Sequence, residues 1–141
     1  MIEELSPSEV DAFLCEQVVA RIGCNAEGEI YVVPVIYAYD GESVYVQTIE
    51  GRKVRMMRAS PEVCFEVDEY DRATGSWRSV IGYGRYEELE GPDRERALQL
   101  LVERFRRPGI EPRERPAAPE GARPVAFRVR VREATGRKVE R

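Results

Sequence analysis

The hydrophobic and polar positions of this chain change period several times, and each change predicts an element. Leu5 and Val10 flank Ser6-Pro7-Ser8-Glu9, a capping box with proline at the first helical position and a hydrophobic staple across it. They predict a short helix reaching about Leu14. Gln17 to Asn25, rich in Val, Ala and Ile, predicts a strand; Glu27-Gly28 turns it into a second strand, Glu29 to Tyr39, and Asp40-Gly41 turns that into a third, beginning at Val44. The middle strand of this meander, Ile30 to Ala38, is apolar on both faces. An antiparallel strand normally leaves one face to water, so the second face calls for cover by another sheet, a subunit or a flat ligand. Pro34 at its centre cannot donate to a ladder. It implies an edge, a bulge or a backbone facing something other than a strand; an irregular strand inside a closed barrel would also accommodate it.

After Ile49 the alternation stops at Gly51, and from Val54 the apolar spacing becomes helical until Ser60-Pro61 ends it. Arg52 and Lys53 then fall in the first turn of a helix, where the macrodipole favours acidic residues. Cations placed there call for an anion between them and the free backbone amides. Arg52 can offer a bidentate fork and Lys53 a compact charge, while Gln47 or Thr48 adds a neutral hydrogen bond and Gly51 a close backbone. Together they describe a pocket for a phosphate monoester of about −1.5 to −2 charges. The alternative is a solvated Arg/Lys face on a surface helix.

Pro61 to Asp68 alternates, with Val63, Phe65 and Val67 on one face. A polar turn at Tyr70 to Gly75 leads into a long strand, Ser76 to Leu89, in which Gly82 and Gly84 mark a bend or a close backbone approach. Trp77, at its start, is a candidate to stack on a ring or to anchor a core or interface. Gly91-Pro92-Asp93 begins an amphipathic helix whose apolar face is Leu98, Leu101, Val102 and Phe105. The Pro- and charge-rich stretch from Pro108 to Pro124 predicts a loop or an arm on another surface, Val125 to Val131 predicts a last strand, and Thr135 to Lys138 a solvated basic tail.

Composition narrows the chemistry. The 141 residues predict one domain spanning 1–141, and 43% apolar with 34% charged residues is ordinary for a soluble globular protein. A net charge of −4 argues against general nucleic-acid binding, and no apolar run approaches a membrane span or a signal peptide. Three cysteines without Cys-x-x-Cys spacing predict reduced, mostly buried thiols and a cytoplasmic setting. The chain has no histidine. That removes Ser-His-Asp and Cys-His catalysis and the usual zinc and haem ligands, so no metal is expected, and redox chemistry would need a bound organic cofactor.

The order of elements predicts a mainly β, α+β fold: a small antiparallel β-barrel with flanking helices. Tyr31-Val32-Val33-Pro34-Val35, Tyr39-Asp40-Gly41, Thr48-x-x-Gly51-Arg52-Lys53, Pro61-x-Val63-Cys64-Phe65-Glu66-Val67, Ser76-Trp77-Arg78-Ser79-Val80 and Gly84-Arg85 carry a family resemblance. In order and spacing, from about Ser6 to Arg137, the chain resembles the pyridoxamine 5′-phosphate oxidase-like flavin-nucleotide-binding family, in particular its nitroimidazole-resistance-related branch. The resemblance implies a split β-barrel, a homodimer, and FMN in clefts at the dimer interface. It places Arg52 and Lys53 at the FMN phosphate, Gln47 and Thr48 along the phosphate and ribityl chain, and Val33, Pro34 and Val35 beside the isoalloxazine ring. Trp77, Arg78 and Ser79 fall where the other subunit approaches the flavin, with Arg78 a candidate to stabilise charge on the reduced ring.

This sequence departs from the family in two places. It ends in Gly136-Arg137-Lys138-Val139-Glu140-Arg141 without the Arg-containing C-terminal motif of true pyridoxamine-phosphate oxidases, and Gln47 stands where nitroimidazole-resistance proteins carry a histidine. The implied function is an FMN-dependent oxidoreductase acting on an unassigned small molecule. A flavin store, carrier or sensor is the alternative, followed by a split-barrel relative that binds F420 or haem.

Overall fold

The computed structural model describes residues 1–106 and 120–141. A two-residue strand β1 (Glu3–Glu4) precedes helix α1 (Pro7–Glu16). The predicted capping box is present: the Glu9 amide donates to Ser6 Oγ at 3.2 Å and the Ser6 amide to Glu9 Oε1 at 3.1 Å. The hairpin β2 (Val19–Ala26) and β3 (Glu29–Ile36) turns on Glu27 and Gly28, both at positive φ. Then come β4 (Ala38–Tyr39), β5 (Ser43–Ile49), α2 (Arg52–Ala59), β6 (Glu62–Tyr70), β7 (Trp77–Glu88), α3 (Gly91–Phe105) and β8 (Pro124–Val139).

The strands form one antiparallel sheet in the order β3-β2-β6-β7-β8-β5-β4, with β1 also on β8. Tyr37 is the pivot that curls it: its amide donates to Val18, its hydroxyl to the Leu14 carbonyl at 2.6 Å, and the next two residues already pair with β5. One continuous run therefore begins beside β2 and ends beside β5, closing the sheet into a barrel. Along Glu29–Ile36, β3 pairs only with β2, so the barrel is split there. Pro34 sits on that free-edged strand, the edge placement its missing N–H requires.

Inside lie Phe13 and Leu14 of α1, Tyr37, Phe65, Phe127 and Met57 of α2, all fully buried. Gly82 and Gly84 act as expected. A Cβ on Gly82 would come within 2.2 Å of the Phe65 ring, and one on Gly84 within 2.3 Å of the Arg130 carbonyl, where the β7–β8 register shifts at a bulge.

Three expectations are corrected. The basic C-terminal stretch is not a solvated tail but the second half of β8, pairing with β7 and β1; its inward positions are Ala134, Gly136 and Lys138 rather than large apolar residues, so no hydrophobic alternation marks it as a strand. On α3 the buried positions are Ala97 and Leu101, whereas Val102 and Phe105 are exposed, since the helix meets the sheet through a narrow stripe beside Tyr45 and Leu89. All three cysteines are free, but Cys15 is exposed, Cys24 buried and Cys64 half-buried. Most of the predicted Pro-rich loop, residues 107–119, lies outside the described residues.

Candidate functional site

The site candidates gather where α2 begins. Its N-cap is Gly51, which makes no side-chain capping bond, and the first turn holds no acidic residue. Gly51 itself has extended backbone, and a Cβ there would meet nothing closer than 3.8 Å. Its value is therefore the absence of a capping side chain that would fill the amide cradle.

The helix start lies over the inward face of the β2–β3 hairpin. Cys24 and Tyr31 are register partners on that face. Arg52 lies with its guanidinium 4.5 Å above the Tyr31 ring and donates to Glu29 Oε2 at 3.1 Å. Lys53 is half-buried next to Cys24, and among the described residues no carboxylate pairs with it. Burial pulls its pKa down, and burial likewise pushes the Cys24 thiol up. An ammonium partly removed from water and left without a counter-charge is an electrostatic deficit that an anion would relieve.

Around this point the other candidates divide. Thr48 is half-buried on the inward face of β5, in phase with buried Val44 and Val46, and α2 begins four residues later. Gln47 is exposed on the opposite face of that strand. Val33 is half-buried and inward, Val35 lies deeper opposite Ala20, and Pro34 faces out opposite Arg21. The structure thus brings Val33, Thr48, Gly51, Arg52 and Lys53 to one region and turns Gln47 and Pro34 away from its inner face.

Trp77, Arg78 and Ser79 are not part of that region within this chain. Ser79 pairs with Asp68, which takes a 2.7 Å bond from Arg21, five residues along β2 from the Ala26–Glu29 end and so about 17 Å away at 3.3 Å per residue. Arg78 stacks on Phe13 of α1 at 4.6 Å and binds Glu69 and Glu16. Its charge is already met by two carboxylates.

Outside the barrel, the second face of β3 is bare: Ile30, Val32 and Ile36 are 78%, 62% and 59% exposed. The register continues this surface across four strands, Val32–Gly23–Cys64–Tyr83, with Ile81 beside it. Gly23 leaves a groove of about 500 Å³ between Val32, Cys64 and Ile81, edged by Arg21 and Glu66.

The sequence pattern overlooked Glu29 and Tyr31 as site residues. The two-residue turn at Glu27-Gly28 contained the signal for the Cys24–Tyr31 pairing, because it fixes the register. Nothing local announced that α2 would dock there.

A family model described as pyridoxamine 5′-phosphate oxidase matches residues 6–138. An uncharacterized protein of Rhizobium meliloti (strain 1021) is 31% identical over 88 residues, 62% of this chain and 58% of that protein, so the alignment spans little more than half of the relative's length. A FAD-binding protein from Mesorhizobium loti of known crystal structure is 30% identical, covering 100% of this chain and 98% of its own with a TM-score of 0.78. A protein from Bacteroides thetaiotaomicron, described as a 5-nitroimidazole antibiotic resistance protein, shares the fold at 18% identity, covering 98% of this chain and 89% of its own with a TM-score of 0.74. Matched over nearly its whole length and folded as the split β-barrel its motifs implied, this chain belongs to the pyridoxamine 5′-phosphate oxidase family.

Proposed function

We propose that the protein binds FMN in a cleft between two copies of the chain and uses it as a flavin-dependent oxidoreductase. The observation that carries the reading is Lys53, a half-buried ammonium without a carboxylate partner among the described residues, at the uncapped start of α2 beside Arg52. A phosphate monoester supplies the missing charge, and the free amides of the first turn supply donors. Lys53, Arg52 and Thr48 would hold the phosphate and the adjoining ribityl chain. Val33 and Val35 would border the ring from β3, whose unpaired backbone edge offers polar groups to it. Bound flavin would supply hydride and electron transfer, and the protein's part would be to bind, orient and shield it.

The homodimer belongs to the same reading. The apolar outer face of β3, β2, β6 and β7 calls for cover, and Trp77, Arg78 and Ser79 lie too far from Arg52 to share its site except across a subunit boundary. A cytoplasmic location accords with three unpaired thiols. FAD is the second reading for the nucleotide, favoured by the likeness to the Mesorhizobium loti FAD-binding protein. It uses the same phosphate cradle.

The test is the visible spectrum of the purified protein, with acid release and chromatography to name the nucleotide. We expect an oxidised-flavin spectrum and FMN in the extract, with colour lost in Arg52→Ala and Lys53→Ala. A folded, colourless protein that takes up neither FMN nor FAD would overturn the assignment. Anaerobic reduction by NADH or NADPH, followed by reoxidation with a panel of acceptors, separates an oxidoreductase from a flavin store: a bound flavin that no donor reduces favours the store.

A further inference from the structure

We propose that Glu29 is an internal stand-in for the nucleotide phosphate: its carboxylate holds Arg52 and competes with the phosphate for that guanidinium, stabilising the flavin-free protein while lowering nucleotide affinity. The proposal rests on the flavin-nucleotide reading above.

The first turn of α2 carries Arg52 and Lys53 and no acid, so its own element offers nothing to offset two cations next to the positive end of the helix. For Arg52 the offset comes from a different element, at the start of β3. Glu29 Oε2 accepts from its guanidinium at 3.1 Å, while the Tyr31 ring lies 4.5 Å beneath. Among the described residues, no carboxylate does the same for Lys53. A phosphate seated on the first-turn amides and Lys53 would bring about −1.5 to −2 charges to the same point. A carboxylate and a phosphate then contend for one cation and repel each other. Both partners of the existing pair are half-exposed or more, at 50% and 68% of their side-chain surface, so Glu29 can swing into water without opening the fold.

Glu29 and Tyr31 therefore act in opposite senses. Tyr31 keeps the guanidinium over its ring whichever anion holds the edge, so it assists binding. Glu29 assists only the flavin-free state.

The experiment compares wild type, Glu29→Gln and Tyr31→Leu, measuring FMN affinity by titration, riboflavin affinity as the phosphate-free control, and thermal midpoint without flavin. Glu29→Gln should bind FMN about three- to five-fold more tightly, the scale of an exposed ion pair, with riboflavin unchanged and a lower flavin-free midpoint. Tyr31→Leu should weaken FMN binding. A Glu29→Gln variant that melts earlier and binds FMN equally or more weakly shows an ordinary structural ion pair and overturns the proposal. If no variant binds any flavin, the flavin reading fails by itself, and inorganic phosphate then decides this one. A larger phosphate-induced rise in midpoint for Glu29→Gln than for wild type upholds the competition; equal rises overturn it.

Discussion

Lys53 sits half out of water beside the Cys24 thiol, and burial depresses its pKa. The sign of the consequence is fixed. A lysine with a folded pKa below its unfolded value of about 10.5 is penalised while charged, and stability rises as pH climbs from the lowered folded pKa toward the unfolded one. Lys53→Met keeps the stem and removes the charge. It should melt at a higher temperature at neutral pH, lose that alkaline rise, and bind FMN about 10- to 100-fold more weakly, the worth of a charge-assisted hydrogen bond. Melting curves across pH and a flavin titration check both halves. A variant that gains stability and keeps its affinity would show that the phosphate is neutralised elsewhere. Arg52, by contrast, is already held by the Glu29 carboxylate and the Tyr31 ring. The two adjacent cations are thus unequal in a way that their shared position in one helical turn conceals.

At the scale of elements, close approach decides where side chains are tolerated. β6 and β7 pair with Phe65 opposite Gly82, and the ring lies where a Gly82 side chain would be. Gly82→Ala must push Phe65 off its place in the core, and should destabilise by about 1–3 kcal/mol, the range for overpacking. Phe65→Leu in the same chain should recover part of that loss, which denaturant midpoints of the single and double variants would show. Full additivity of the two effects would mean that ring and glycine do not meet. The same logic explains Gly136, where a Cβ would come within 2.6 Å of Leu5 as β8 passes beneath the entrance to α1. The entrance itself follows from local chemistry: Ser6 and Glu9 cap each other reciprocally, and Arg104 of α3 donates to the carbonyls of Glu16 and Gln17 at the far end of α1.

For the molecule as a whole, the outward surface of β3, β2, β6 and β7 is the feature that a lone copy leaves unexplained. Val32 on β3 and Ile81 and Tyr83 on β7, with β2 and β6 between them, are 62%, 46% and 45% exposed, and Val32 and Ile81 flank a groove opened by Gly23. In the proposed dimer this surface is covered, and the partner supplies what the region around Arg52 lacks. Val32→Glu and Ile81→Glu would each place a charge in that contact. They should leave the far-ultraviolet spectrum intact, shift the mass seen by light scattering toward that of one chain, and lose flavin together with the partner. Variants that remain paired at micromolar concentration would move the interface to another face. Among the described residues, no helix is long and apolar enough to cross a membrane.

The sequence by itself determined whatever depends on near neighbours along the chain. The Ser6–Glu9 cap, the two-residue turn at Glu27-Gly28, the breaks at Gly51 and Gly91, the alternation of Val63, Phe65 and Val67, and the misplaced charge of Arg52 and Lys53 are all set by local sterics, capping and dipole, so they were legible residue by residue. The order of elements pointed to the barrel, and the family motifs added its split form and the expected cofactor. Only the tertiary structure decided which of those two cations is already spoken for, that Gln47 and Thr48 face opposite ways, that Trp77 to Ser79 lie away from Lys53, and that β8 runs unbroken to Val139. Each of these depends on which distant strand or helix a residue meets, and such contacts follow from how the whole sheet curls around Tyr37 rather than from any short stretch of the chain.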